Sequence, residues 1–330
     1  MRTSMVHSGA KWVDLNTVDM DDDLYRISRT EGVEALADSI RSVGLVNLPL
    51  LEEKEPNRFR IVCGFKRLLA CRRIGMETVQ CRVVSSDCSP MTCLSIAIAD
   101  NTMGPNPPGI LDQARAVEKI RSLCAPGDDL SLIAGRLGLH VDPSLVEKYH
   151  RLCSLPAYLQ KLVEDDGVSM AMAIELGAME DRDAIALSGL FEVLRPTASH
   201  QKELLSALKA ISVMHDTDMT AILESPDLSD IIENDAFDRK QKIQRLRQAV
   251  RKLRYPFISR FESHFKQQIQ RMALPKGMAL IAPRDFESPS YTFTIEFSNA
   301  IELRHHAKTL ASLSENSALK SILRRDIENT

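Results

Sequence analysis

Residues 62–73 read Val62-Cys63-Gly64-Phe65-Lys66-Arg67-Leu68-Leu69-Ala70-Cys71-Arg72-Arg73. Just before them Phe59, Ile61 and Cys63 alternate with Arg58, Arg60 and Val62, the period of a strand. The strand runs into Gly64, and a helix follows from about Phe65 to Ile74, closed by Gly75. Lys66 and Arg67 therefore stand in the first turn of a helix. Free N–H groups at a helix N-terminus, joined by a lysine and an arginine, favour an anion. The same residues also describe a plain strand-to-helix turn with a basic surface.

Upstream, "VEALADSIRSVGLV" places Val33, Leu36, Ile40 and Val43 at helical spacing and ends at Gly44. Two apolar runs flank "EKEPN", which reads as a hairpin, and "TVQCRVV" reads as a further strand. Residues 1–105 thus form a small α/β domain built around strand–helix–strand. The acidic run Asp21 to Asp23 reads as a solvated loop.

The stretch "NTMGPNPPG" marks a hinge, with three prolines and two glycines in nine residues. Residues 106–236 show helical periods and form an all-helical domain. Residues 237–272 hold a basic helix and linker. Arg239, Lys240, Lys242, Arg245, Arg247, Arg251, Lys252 and Arg254 carry eight positive charges, while Ile243, Leu246, Val250 and Leu253 keep an apolar stripe. In residues 273–330, "MALIAP" and "YTFTIEF" read as strands before a helix. A strand–strand–helix module of this size has a small core of its own. Phe293, Ile295 and Phe297 are its candidate dimer interface.

The bulk numbers bound the function. The chain has 330 residues, 44% hydrophobic and 26% charged, so two or three soluble domains are expected. A net charge of −3 excludes a uniformly basic binder, and any nucleic-acid affinity must lie in local patches. No stretch has the length and hydrophobicity of a membrane span or a signal peptide, which points to the cytoplasm and to no membrane partner. Seven cysteines, an odd number with no CxxC pair, read as reduced thiols. Cys81, between Val79 and Val83, fits the buried face of a strand. No metal ligand set and no catalytic residue is assigned.

Residues 129–154 carry a helix-turn-helix pattern. Its first helix would turn Leu132, Ile133 and Leu137 inward. Ala134 allows a close crossing, Gly138 opens the turn, and Asp142 with Pro143 starts the second helix. The exposed face then holds Ser144, Glu147, Lys148 and Arg151. An ordinary helical hairpin gives the same spacing. Phosphate contacts position such a helix and base contacts specify, so few charges suffice.

In this order the pieces resemble the ParB/RepB family of DNA-partition proteins, over about residues 11–180 and more loosely 273–312. The segment at Gly64 falls where the family has Gly-Glu-Arg-Arg, and "AIADNTMGPNPPG" falls where it has Glu-Asn and a following arginine. The resemblance implies a multidomain α+β chain. It would have a ParB/sulfiredoxin-like N-terminal domain, a helix-turn-helix domain and a C-terminal dimerisation module. It implies that Gly64, Lys66 and Arg67 meet the phosphates of CTP, with Asp100 and Asn101 near Mg2+. Ser144, Lys148, Arg151, Arg245, Arg247 and Arg251 would contact double-stranded DNA. A homodimer, a ParA-type ATPase partner and a nucleoid or plasmid location belong to the same expectation. Phe65 departs from the family's acidic residue, Lys66 from its first arginine, and Gly104 from the arginine after Asp100-Asn101, so at most weak CTP hydrolysis is implied.

Two other classes fit parts of the pattern. A transcriptional, plasmid or phage replication regulator could use the same fold with a vestigial pocket. A sulfiredoxin-like redox enzyme needs a cysteine inside the glycine-to-arginine loop, and here Cys63 precedes the glycine. A nuclease would need a dense acidic metal cluster.

Overall fold

In the computed structural model, which describes residues 9–28, 32–85, 87–102 and 108–324, the chain divides into two compact units, residues 1–192 and 193–330.

The first unit opens with a sheet. Its strands are β1 (Lys11–Asp14), β2 (Val18–Asp19), β3 (Leu50–Glu55), β4 (Arg58–Cys63) and β5 (Thr78–Val83), in the order β1-β5-β3-β4-β2. β3 and β4 form the expected hairpin, with Asn57 at φ 61° in its turn. β1 and β2, at the two edges, were not read from the sequence. They are too short for a period to show, and Trp12 on β1 stands 67% exposed.

Helices α1 (Glu34–Val43) and α2 (Phe65–Arg73) pack together, and their apolar residues share one core with the sheet. Ile40, Leu68, Cys71, Ile61, Val79 and Cys81 are buried there, whereas Val43, read as part of the same stripe, is exposed. Burial pushes the Cys81 thiol up to about 12. Val62 points to the opposite face and is also fully buried, because α3 (Pro90–Thr102) packs on β4. Both faces of β4 are therefore covered, so its apolar run is nearly continuous after Arg60.

The remaining helices of this unit are α4 (Ile110–Leu123), α5 (Leu130–Arg136), α6 (Pro143–Cys153), α7 (Ala157–Glu164) and α8 (Met170–Leu176), followed by α9 (Asp181–Leu194). α4 packs along α6 and also touches α5 and α7.

The second unit begins with α10 (Ala198–His215), α11 (Met219–Leu223), α12 (Pro226–Glu233) and α13 (Arg239–Arg254). α13 is the basic helix. A capping box between Asp238 and Gln241 starts it, and buried Leu246 and Val250 hold its apolar stripe. A further helix, α14 (Pro256–Met272), fills what the sequence offered as linker.

The C-terminal part has antiparallel β6 (Met278–Ile281) and β7 (Thr292–Ile295), then α15 (Ala300–Leu313) and α16 (Ser317–Arg324). It is larger than a strand–strand–helix module, because α14 and α16 contribute Met272, Leu319 and Ile322 to its core. Phe293 and Ile295 pair across the strands with Leu280 and Met278 and pack on that core.

Candidate functional site

Gly64 joins β4 to α2 at φ 95°, a left-handed conformation that glycine adopts without a Cβ penalty. A Cβ there would lie 3.1 Å from Pro49 Cα and 3.2 Å from Arg67 Nε. The side-chain-free turn thus lets Arg67 fold back over it. The Arg67 guanidinium donates to the carbonyls of Asn47 at 3.2 Å and Leu48 at 3.4 Å, and its Nη2 donates to Asp100 Oδ2 at 2.7 Å. Two of the expected site residues, 33 positions apart, are therefore in direct contact.

Asn101 completes the end of α3. Its Oδ1 accepts from the Ser28 hydroxyl at 2.6 Å, while its amide donates to the Ala97 carbonyl at 2.8 Å. Lys66 is exposed in the first turn of α2. It acts electrostatically on Asp112 of α4: burial raises that carboxyl above its usual value with help from Glu164, while Arg115 and Lys66 pull the other way. Burial likewise pushes the Cys63 thiol up to about 11, and the nearby Asp100 carboxylate adds to the rise. The arrangement is a cationic helix start with Arg67 held on a carboxylate, giving donors for phosphate oxygens and an oxygen ligand suited to Mg2+. Those groups fit a nucleotide triphosphate, provided Arg67 exchanges Asp100 for phosphate. Gly104 lies outside the described residues.

Two residues of this neighbourhood were missed in the sequence. Arg26 lies over the Phe65 ring, 4.9 Å from its centroid, and its Nε is buried without a hydrogen-bond partner among the described residues. Phe65, which replaces an acidic residue of the family pattern, thus stacks on a cation. Asp22 corrects the reading of the acidic run as solvated. Its side chain is 12% exposed and accepts from Arg60 Nε at 2.5 Å and from Lys54 at 3.2 Å. No spacing signals such pairs, since their members come from distant elements.

The helix-turn-helix segment is built as its caps require. Asp129 and Asp142 each accept a first-turn amide, from Leu132 and Leu145, and Pro143 opens α6. Gly138 turns at φ 84°. Ala134, Val146, Tyr149 and Leu152 are buried, and Tyr149 donates to Gln113 Oε1 on α4 at 3.0 Å. Leu132, expected inward, is 54% exposed, whereas Leu139 after the turn is buried. Ser144, Lys148 and Arg151 are exposed along α6.

The sequence-matched part can now be placed. Residues 13–102 match the family model of the ParB N-terminal domain. The chain carries a ParB N-terminal domain. The match runs from Val13, within β1, to Thr102 at the end of α3, so it contains Gly64, Lys66, Arg67, Asp100 and Asn101. Among solved structures the chain is similar to the C-terminally truncated chromosome-partitioning protein ParB from Caulobacter crescentus complexed with CTP-gamma-S, at 23% identity, over 56% of this chain and 99% of that one, with a TM-score of 0.27. The same truncated protein complexed to the centromeric parS site matches at 22% identity, over 55% and 91% of the two chains, with a TM-score of 0.31. A Pnob8-like ParB-N domain matches at 13% identity, over 73% and 99%, with a TM-score of 0.37. No curated protein matches the sequence.

Beyond the ParB N-terminal domain, the cations of α13 are partly engaged within their own unit. Arg247 pairs with Glu203 at 2.7 Å, Arg251 with Glu262 at 2.8 Å, and Arg245 lies 4.0 Å over the Phe237 ring. Phe297 is 52% exposed beside α15, where Ile301 and Leu303 are exposed as well. Among the described residues no group of three or more histidine, cysteine, aspartate or glutamate side chains is placed to hold a metal, and no helix is long and apolar enough to cross a membrane.

Proposed function

We propose that this ParB-family chain is a partition protein that recognises a centromere-like DNA site as a dimer, with CTP binding as its gate. The observation that carries the reading is the contact of Arg67 with Asp100 at the glycine turn, inside the ParB N-terminal domain. Arg67 would leave Asp100 for the phosphates of a bound nucleotide, and the freed carboxylate would then be available to hold Mg2+. The bound nucleotide would supply the negative charge that holds Lys66 and Arg67, and the protein residues would orient it. Clamp-like dimer closure and a ParA-type partner belong to the same proposal.

DNA would meet α6 through Ser144, Lys148 and Arg151, with backbone affinity from the cations of α13. The dimer surface would centre on Phe297 and the exposed start of α15, with Phe293 and Ile295 supporting it from within. The raised Cys63 thiol counts against thiolate chemistry at the same turn.

Calorimetry with a nucleotide panel, with and without DNA, tests the reading. CTP should bind selectively and Arg67→Gln should weaken it. Silence towards every nucleotide would replace the gate with the second reading, a DNA-binding regulator with a vestigial pocket. Independently, Lys148→Ala with Arg151→Ala should weaken binding to the selected site, and unchanged affinity would remove α6 from the interface.

A further inference from the structure

The second unit contains a groove that the partition reading leaves unused. α14 and α16 line it, Lys252 of α13 stands at its rim, and its volume is roughly 1000 Å³. Lys252, Arg260, His264 and Arg271 all line it. The other lining residues are serine, asparagine, glutamine, alanine and proline, and none is acidic.

This balance is local. On the neighbouring face of α13, Arg247 and Arg251 are held by Glu203 and Glu262. Among the described residues Lys252, Arg260 and Arg271 have no carboxylate partner. Lys252, Arg260 and Arg271 thus leave uncompensated positive charge along the groove, which favours an anion.

The floor adds a second, independent observation. Gln268 is 4% exposed, lines the groove, and its side-chain amide has no hydrogen-bond partner among the described residues. Ser259 Oγ, also in the lining, is buried and unpartnered among them. Buried polar groups are normally satisfied, so the unpartnered Ser259 hydroxyl in a cationic groove marks the place of an absent acceptor. The His264 imidazole and the Ser321 hydroxyl, 3.1 Å apart, tie α14 to α16 across the groove and fix its width.

We propose that this groove binds a phosphate-bearing anion, through Arg260, Arg271 and Lys252 with Gln268 and Ser259 beneath them. A carboxylate would carry one charge for three cations. A phosphate group brings more charge and several acceptor oxygens, which the arginine forks and the hydroxyl and amide donors match. Two sources share this chemistry, a free phosphate compound and the backbone of a nucleic acid.

The test titrates the full-length chain with pyrophosphate by calorimetry in magnesium-free buffer. In the Arg67→Gln background, which removes the phosphate turn of the nucleotide site, one saturable site is expected. Arg260→Gln with Arg271→Gln should weaken it by about tenfold or more, with the melting temperature unchanged, and Arg67→Gln should leave it intact. Gln268→Leu, or Arg271→Gln alone should the double variant unfold, should weaken it as well. A random-sequence duplex that displaces pyrophosphate, or that loses affinity in the Arg260/Arg271 variant, identifies the backbone as the source; undisturbed pyrophosphate binding identifies a free anion. Binding that only Arg67→Gln removes, or no change in either ligand's affinity in the Arg260/Arg271 variant, would overturn the proposal.

Discussion

At the scale of single residues, Gly64 and Arg67 act as a pair. A methyl group at position 64 meets Pro49 backbone at 3.1 Å in a left-handed conformation. Gly64→Ala should therefore destabilise the first unit by about 1–3 kcal/mol, read by urea unfolding, and should loosen Arg67 as it does so. The pair with Asp100 is partly exposed, its carboxyl side chain at 38%. Asp100→Asn should raise magnesium-free CTP affinity by no more than about fivefold, the scale of a solvent-screened pair, and calorimetry at matched ionic strength reads it. Asp22 is a deeper case. Burial alone would raise its carboxyl, but hydrogen bonds from Arg60, the Leu24 amide and Lys54 outweigh it and hold it below its usual value of 3.8. A depressed carboxyl stabilises the fold above its unfolded value, and that contribution disappears as pH falls through the folded one. Asp22→Asn should thus flatten the loss of stability below about pH 4. Gly64 and Arg67 were legible in the sequence because they sit in one short segment. Arg26 over Phe65 and Asp22 against Arg60 were not, because each pairs residues from different elements.

At the scale of elements, the turn between α5 and α6 rests on its caps. Asp142 accepts from the Leu145 amide at 2.8 Å. Asp142→Ala should cost about 1 kcal/mol of stability, measured by thermal unfolding, and should lower DNA affinity in step if α6 enters the groove. This element was readable almost residue by residue, since Asp142-Pro143 and Gly138 announce a start and a turn. Leu132 was misplaced because apolar residues at neighbouring positions leave the inward face ambiguous, and it is Leu139 that is buried. Helix α3 gave little signal. Its residues from Met91 to Ala99 are nearly all apolar, so no single face stands out, as befits a helix packed on several sides. The basic helix α13 was evident from charge and stripe together, but its ion pairs were not. Neutralising Arg239 and Lys240, which have no ion-pair partner among the described residues, should reduce the slope of log K against log salt by up to about two units if each meets a phosphate.

At the scale of the molecule, the two units set different problems. The first has a sheet whose strand β4 is covered on both faces, and a core shared by the sheet, α1 and α2. The second leaves Phe297, Ile301 and Leu303 exposed beside a well-filled core. Phe297→Asp with Ile301→Asp should convert the proposed dimer to a monomer in sedimentation while leaving circular dichroism unchanged. The sequence showed this surface only as an alternating strand. The contribution of α14 to the same core was hidden, because Pro256 and the preceding cations made that segment look like a connection. The contact boundary at Glu192 and Val193 falls inside α9, where no change of composition marks it.

The distribution of rare side chains gives the two units separate optical and chemical signatures. Trp12, the sole tryptophan, lies on an exposed sheet edge, and all seven cysteines fall between Cys63 and Cys153. Residues 193–330 have neither. Thiol-reactive probes on the wild-type chain will therefore time the opening of the first unit alone, since Cys63, Cys71, Cys81 and Cys93 are buried there. Tryptophan emission, already red-shifted in the native state by the indole's exposure, will change little on denaturation. A fluorophore placed in the second unit would need an introduced cysteine and the masking of the half-buried native thiols Cys88, Cys124 and Cys153, and its signal would then be free of the first unit's own unfolding.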